Sequence, residues 1–321
     1  MKYRQLTQEQ RYQIGACLRI GMKRSEIARE IKVHRSTISR EIGRNGQGRW
    51  RYNPSRAIRA AREKHRDKRK HRIDEVTWAR VESLLELEWS PEQISERLKL
   101  EGSPTVSHET IYRHVYQNKQ EGGMLYIHLR RGHTYRKRIH KYCKRGFRDP
   151  RRPISERPAI VETRSRLGDW EADTIIGRQQ QRQAILSLVE RRSRFCLLQK
   201  VPVRSAESVA DATCQKLLPL KDKVLTITSD NGPEFARHKK IALDLNADFF
   251  FADPYSSWQR GTNENTNGLV RQYFPKKSDF STLADEHVQF VNDRLNNRPR
   301  KALGFRTPNE VFLNQPVALM T

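Results

Sequence analysis

The sequence predicts an all-α N-terminal half built from helix-turn-helix units, followed by an α/β core on a five-stranded mixed sheet. Three observations carry this expectation. Residues 1–118 alternate short stretches of helical periodicity with capping signals and glycine stops. Residues 169–252 instead carry five short runs rich in β-branched and large apolar side chains. The first three runs follow one another directly and the later ones alternate with helical stretches, which describes a sheet with helices on its faces.

The chain has 321 residues, enough for two or more domains, and a formal net charge of +26. Residues 1–150 hold 36 Lys/Arg against 17 Asp/Glu, or +19, and the remainder 27 against 20, or +7. No fold needs such an excess; a polyanion does, and the asymmetry places its contact mainly in the N-terminal half. The four cysteines, Cys17, Cys143, Cys196 and Cys214, form no zinc-type pairs and no disulfide framework, as in a reducing cytoplasm. No run of about 18 apolar residues exists and MKYRQLTQEQ is no signal peptide, so neither a membrane span nor secretion is expected.

Residues 1–45 read as three helices. Thr7 and Gln10 make a capping box, Ile14, Cys17 and Leu18 share a face, and Gly21 stops the first helix. A second runs from about Ser25 to Ile31, and a tight turn at Lys32 and Val33 leads to a third from about Arg35 to Ile42. This is the helix-turn-helix pattern, and its last helix offers Arg35, Ser36, Thr37, Ser39 and Arg40 to base edges or phosphates in a major groove. Residues 46–75 are a strongly basic linker, read either as a solvated helix or linker or as a stretch tracking a phosphate backbone. Residues 76–118 form a second helical unit. Ser90-Pro91-Glu92-Gln93 opens one helix, Gly102 breaks it and Ser107 caps the next. It is either a second helix-turn-helix, with His108, Glu109, Thr110 and Arg113 leading, or a helical spacer. A second basic linker spans 119–158, with His128, His133, His140 and Cys143 too irregularly spaced for zinc, and the main boundary falls at its end.

The core therefore spans 159–321. Its strands are DWEADTII, AILSLVE, FCLLQKVPV, VLTITSD and DFFFA; its helices lie near 204–217, 233–245, from about Asn263, and 282–297. Three carboxylates fall where such a sheet gathers ligands: one in the first strand, Asp230 at the carboxyl end of the fourth, and Glu264 at the start of a helix after the fifth. In the first strand Asp169, Glu171 and Asp173 share one face, and periodicity does not choose among them. Asp253 is a rival third acid, and Glu234 reads as a helix N-terminal acid. Residue types alone leave all of these readable as surface carboxylates or caps. Clustered, they would repel unless a hard divalent cation sat between them, and two such ions can drive in-line displacement at phosphorus.

At these residues a resemblance becomes specific. Trp170 ahead of Asp173, then Ser229-Asp230-Asn231-Gly232, then Gly261-Thr262-Asn263-Glu264-Asn265 with Asn267-Gly268 and Arg271-Gln272-Tyr273-Phe274-Pro275-Lys276, are similar to the three motifs of the insertion-sequence-thirty family of three-carboxylate (DDE) bacterial transposases. The 33 residues between Asp230 and Glu264 fit that family's spacing, and NNRPRKALGFRTPNEVF is like its closing segment. The zinc-binding N-terminus of retroviral relatives has no counterpart here. The resemblance implies an RNase H-like catalytic core in a bacterial, cytoplasmic, nucleoid-associated transposase. It selects Asp173, Asp230 and Glu264 as catalytic residues holding two Mg²⁺, with Mn²⁺ as substitute. It implies hydrolysis at the ends of a mobile element and joining of the 3′-hydroxyls to target DNA, without a covalent protein–DNA intermediate. Its partners would be double-stranded inverted repeats and target DNA, with a homodimer or larger assembly handling two ends. Arg260, Arg271 and Lys276 either hold phosphates or are a solvated basic face; Asn267 binds substrate or orders the loop; Tyr255 and Trp258 stack on an unpaired base or pack on the sheet edge. A regulator on an inactive core would lack a key acid, whereas a nuclease without joining activity would share this sequence.

Overall fold

The computed structural model describes residues 5–46, 52–67, 73–129, 151–178, 182–254 and 256–314. Tyr255 and the linker residues His133, His140 and Cys143 lie outside them. The chain divides into two compact units, Met1–Asp74 and Glu75–Thr321.

The first unit holds four helices: α1 (Gln8–Arg19), α2 (Arg24–Glu30), α3 (Arg35–Asn45) and α4 (Pro54–Asp67). Thr7 and Gln10 close the expected capping box on α1. Lys32, at φ 55°, takes the left-handed turn that swings α3 away from α2. Ile14, Ile27, Ala28, Ile31, Ile38 and Ile42 pack into one small core. The basic stretch, read as a solvated helix or linker, contains α4, and one face of that helix is buried. Ala57 and Ile58 are buried, and α4 starts so close to α1 that a Cβ on Gly15 would stand 2.4 Å from Pro54 Cγ. A buried Glu41 accepts from Arg11 Nε (2.9 Å) and Tyr52 Oη (3.1 Å), tying α1, α3 and the approach to α4 together.

The second unit opens with α5 (Glu75–Glu86), α6 (Pro91–Leu100) and α7 (His108–Gln120). Ser90 and Gln93 form a capping box on α6, and Ser107 caps α7. After the short α8 (Ile160–Thr163) come β1 (Asp169–Ile176), β2 (Ala184–Glu190), β3 (Cys196–Val201), α9 (Ala206–Leu217), β4 (Thr226–Ser229), α10 (His238–Leu245), β5 (Asp248–Phe251), α11 (Gly261–Tyr273), α12 (Asp285–Asn296) and α13 (Pro308–Phe312). The sheet order is β3-β2-β1-β4-β5, with β1, β2 and β3 antiparallel and β1, β4 and β5 parallel. Every residue of β2 is buried, which explains its nearly continuous apolar run. Side chains alternate across β1. Trp170 and Ala172 enter the core with α9, α10 and Phe312, while Ile175 joins that with α11 and α12. Each fully buried Leu, Ile or Phe there contributes about 1.5–3 kcal/mol.

The helices of 75–120 and the end of the second basic stretch both bond to the elements that follow them. Arg97 of α6 is buried, and forks onto Glu310 of α13 (2.6 and 2.8 Å) while its Nε reaches Glu101 (2.6 Å). Arg294 donates to the Glu86 carbonyl and Gln93 to the Pro299 carbonyl. At the end of the second basic stretch, Phe251 N–H donates to the Arg152 carbonyl (2.9 Å), so residues 151–153 run beside β5.

Candidate active site

Parallel pairing of β1 with β4 decides where two of the acids meet. The register sets Glu171 opposite Thr228, and Asp173 and Asp230 each lie two residues further along. The same register separates the three acids of β1. Asp169 accepts from Arg166 and Thr226 Oγ1 (2.9 Å). Glu171 accepts from Arg191 (2.8 Å) and the Asn263 amide (2.7 Å). Both are buried and committed to structure, whereas the side chain of Asp173 stays 24% exposed.

Asp173 Oδ1 accepts from the Thr174 amide (2.9 Å) and Oδ2 from Asn267 Nδ2 (3.0 Å). Arg260 forks between the acids, Nη1 3.3 Å from Asp173 and Nη2 3.7 Å from Asp230. Burial pushes the Asp173 carboxyl up to about 6; Arg260 pulls it down, and the like charge of Asp230 pushes it up. Asp230 Oδ1 accepts from the Gly232 amide (2.9 Å), closing an Asx turn at the strand end. A Cβ on Gly232 would stand 2.4 Å from Glu234 Oε2 and 2.9 Å from Asp230 Oδ1, so only glycine lets these carboxylates approach. Glu234 is buried and accepts from Thr174 Oγ1 (2.8 Å), next to Asp173 along the chain. Arg151 donates to Asn231 Oδ1 (3.3 Å) and the Gly232 carbonyl (3.5 Å), bracing the turn from behind.

Glu264 lies on the first turn of α11 and is exposed, one turn before Asn267. Among the described residues no three His, Cys, Asp or Glu side chains are grouped to hold a metal ion; Arg260 links two of the three expected acids, Asp173 and Asp230. The rival Asp253 is exposed and bonded to Gln259 (2.8 Å). The donor set still suits a hard cation. Asp173 and Asp230 offer carboxylate oxygens, and the guanidinium of Arg260 stands between them as a positive charge. Among the described residues, buried Asn267 Oδ1, Thr262 Oγ1 and Arg260 Nε at the same helix end have no hydrogen-bond partner.

The other expected contact residues are dispersed. Arg35 and Arg40 are exposed on α3, with Ser36, Thr37 and Ser39 half-buried, and Ser36 Oγ pairs with His34 Nδ1 (2.8 Å). Arg113 is exposed on α7 beside Tyr112 and Tyr116, whose rings stack 6.3 Å apart. Arg271 is half-buried and donates to the Ile176 carbonyl (2.9 Å), at the end of the strand that carries Asp173. Burial lowers its guanidinium from the ordinary value while Asp173 draws it the other way. Lys276 is exposed just past α11, and Trp258 is 73% exposed, so it does not pack on the sheet edge. Sequence reasoning missed the bridge from Arg260 to the acids, the Thr174–Glu234 bond and the Arg151 brace. The only sequence signal for any of them was the glycine of Ser229-Asp230-Asn231-Gly232.

Comparison with known proteins agrees with this layout. Residues 2–45 match a helix-turn-helix domain family and residues 164–257 the integrase core domain family. The chain is similar to the transposase for insertion sequence element IS4351 of Bacteroides fragilis, 46% identical over 312 residues covering 96% of this chain and 95% of that protein. It is also similar to transposase InsI for insertion sequence element IS30A of Escherichia coli (strain K12), 36% identical over 321 residues covering 96% and 83%. The crystal structure of the catalytic core domain of BIV integrase aligns with 46% of this chain and 95% of its own, at 23% identity and a TM-score of 0.35.

Proposed function

The chain belongs to the IS30 family of insertion-sequence transposases, with a helix-turn-helix region ahead of an RNase H-like integrase core, and from that premise we propose that it binds the terminal inverted repeats of its element, hydrolyses the phosphodiesters at the element ends and joins the freed 3′-hydroxyls to target DNA. The observation that carries the proposal is the pairing of Asp173 with Asp230 beside the parallel β1 and β4, around the guanidinium of Arg260.

In hydrolysis a water oxygen attacks phosphorus, and the 3′-oxygen leaves and takes up a proton. In joining that 3′-oxygen attacks a target phosphodiester and displaces the target's own 3′-oxygen, so one P–O bond forms for each that breaks. Two Mg²⁺ ions, with Mn²⁺ as substitute, held by Asp173, Asp230 and Glu264, would activate the attacking oxygen and stabilise the leaving one. The protein's own groups do the positioning. Asn267 and the Thr174 amide orient Asp173, and the Gly232 amide orients Asp230. Arg260 neutralises the pair before substrate arrives, and a phosphate entering the cleft competes for its guanidinium. Arg271 and Lys276 extend the positive field past α11.

Arg35, Ser36, Thr37, Ser39 and Arg40 supply end recognition from residues 1–45, and Arg113 a further backbone contact. Two ends react together, so the working form is a homodimer or larger assembly on DNA. Labelled element ends incubated with a supercoiled target and Mg²⁺ should yield both cut ends and joined product. Cutting without joining would reduce the proposal to a nuclease. Asp230→Asn should cut nothing while binding the inverted repeat as before, and persistent cutting by that variant would overturn the site.

A further inference from the structure

Alongside α11 runs a groove whose walls include Gly261 and Asn265, with Arg164, Arg194, Arg300 and Lys301 among its cations. Gly261 and Asn265 lie on one flank of the helix, whereas Glu264, Asn267 and Arg271 lie on the other, by the helical spacing. The groove nevertheless begins next to the acids, because Gly261 follows Arg260, which bridges Asp173 and Asp230.

Some of its cations are already engaged. Lys301 holds Glu92 (2.6 Å) and Arg300 donates to the Leu295 carbonyl (2.9 Å). Arg164 and Arg194 are different: among the described residues neither side chain is bonded to an anion. The carboxylates that attract Arg194 through space are committed elsewhere. Glu171 is held by Arg191 and the Asn263 amide, and Glu190 by the Gly168 amide, the Ser193 amide and the Ser193 hydroxyl. Arg164 and Arg194 repel each other, and burial adds to the cost of charge on Arg194. Both residues also sit in the left-handed region, at φ 52° and 63°, one ending α8 and the other in the β2–β3 turn. Glycine or asparagine is the usual occupant of such positions. Two arginines there, half-buried and without a bonded anion, form a site that lacks its negative partner.

We propose that this groove carries a DNA phosphate backbone along α11 to the acid pair, with Arg164 and Arg194 as direct phosphate ligands. The planar guanidinium matches two phosphate oxygens, and a polyanion entering the groove relieves the repulsion between the two side chains. The Asn265 amide, one residue past Glu264, lies on the same wall. This assignment rests on the transposase reading above and adds a path for the strand that the acids cut.

The test uses the full chain and a duplex carrying one element end, with binding followed by anisotropy across a range of salt. Arg164→Gln/Arg194→Gln should weaken binding by on the order of tenfold per arginine and lower the slope of log K against log salt by about 1.8, at ~0.9 per phosphate contact. Arg164→Lys/Arg194→Lys keeps both charges and should restore the slope. Arg237→Gln/Lys240→Gln removes two charges that are paired with Glu207 and should leave the slope unchanged. A folded glutamine variant that matches the parent in affinity, slope and cutting overturns the groove assignment. So does one whose DNA binding is intact while an acidic protein no longer binds. A parent protein that neither binds nor cuts the element end would instead overturn the transposase reading itself.

Discussion

Arg97 offers a direct measure of how firmly the helices ahead of the sheet are bound to it. Its guanidinium is buried with the carboxylates of its partners, Glu101 and Glu310, and links α6 to α13 across more than 200 residues. Burial works against its charge, and the two carboxylates more than offset that, holding its proton more tightly than in free arginine. Arg97→Met would take the bidentate guanidinium away from buried Glu310, which keeps the Thr307 amide (2.7 Å), while Glu101 keeps Arg80 (2.5 Å). Breaking a buried pair in this way costs about 3–5 kcal/mol, roughly a fifth or more of an ordinary domain's stability. Replacing both partners with apolar groups of similar volume is often nearly neutral, so Arg97→Met/Glu310→Leu should recover most of the loss. Urea unfolding followed by the fluorescence of buried Trp89 and Trp170 reads both variants. A single variant that loses less than about 1 kcal/mol, or a double variant no better than the single, would refute the reasoning. By the same argument a fragment of residues 75–321 should fold and one of residues 159–321 should not, because the latter leaves Glu310 buried without its arginine.

Three other outcomes follow from the cleft. Gly232→Ala should lower cutting by about 100-fold or more, since its methyl group would displace the Asp230 or Glu234 carboxylate, while anisotropy shows inverted-repeat binding unchanged. In chelator, the raised carboxyl of Asp173 makes the folded state favour the protonated form. That contribution is complete below about pH 4 and lost as pH rises through about 6, at a cost of up to ~3 kcal/mol by pH 7. Asp173→Asn should remove this part of the pH dependence, and urea midpoints at pH 4.5 and 7.5 that shift alike in both proteins would contradict it. Arg260→Gln takes away the cation that competes for the acids, so Mn²⁺ titration followed by electron paramagnetic resonance should show half-saturation at a lower concentration; a higher one would mean that Arg260 organises the site rather than occupying it.

Much of the fold was legible because its signals are local. The capping boxes at Thr7 and Ser90 and the stops at Gly21 and Gly102 follow from a few neighbouring residues. The apolar runs 169–176 and 184–190 coincide with β1 and β2. Less legible were α4, whose basic composition hides the buried pair Ala57 and Ile58, and α13, a five-residue helix whose stability comes from Phe312 in the sheet core and Glu310 on Arg97.

By itself the sequence determined the order of the elements, the basic N-terminal half and the residue types able to hold metal and phosphate, since periodicity, charge and motif spacing are properties of the chain read in line. Only the tertiary structure decided which acids serve which purpose. Three carboxylates alternate identically along β1, and nothing in their spacing separates them. Thr226 from β4 and Arg191 from beyond β2 take up Asp169 and Glu171, Asp169 also holding its neighbour Arg166, while parallel pairing with β4 leaves Asp173 beside Asp230. Likewise Arg260 and Glu264 are four residues apart in sequence, yet the start of α11 turns the arginine toward the acid pair and leaves the glutamate exposed. Ion pairing depends on distance through space, and that distance is set only when the strands pair.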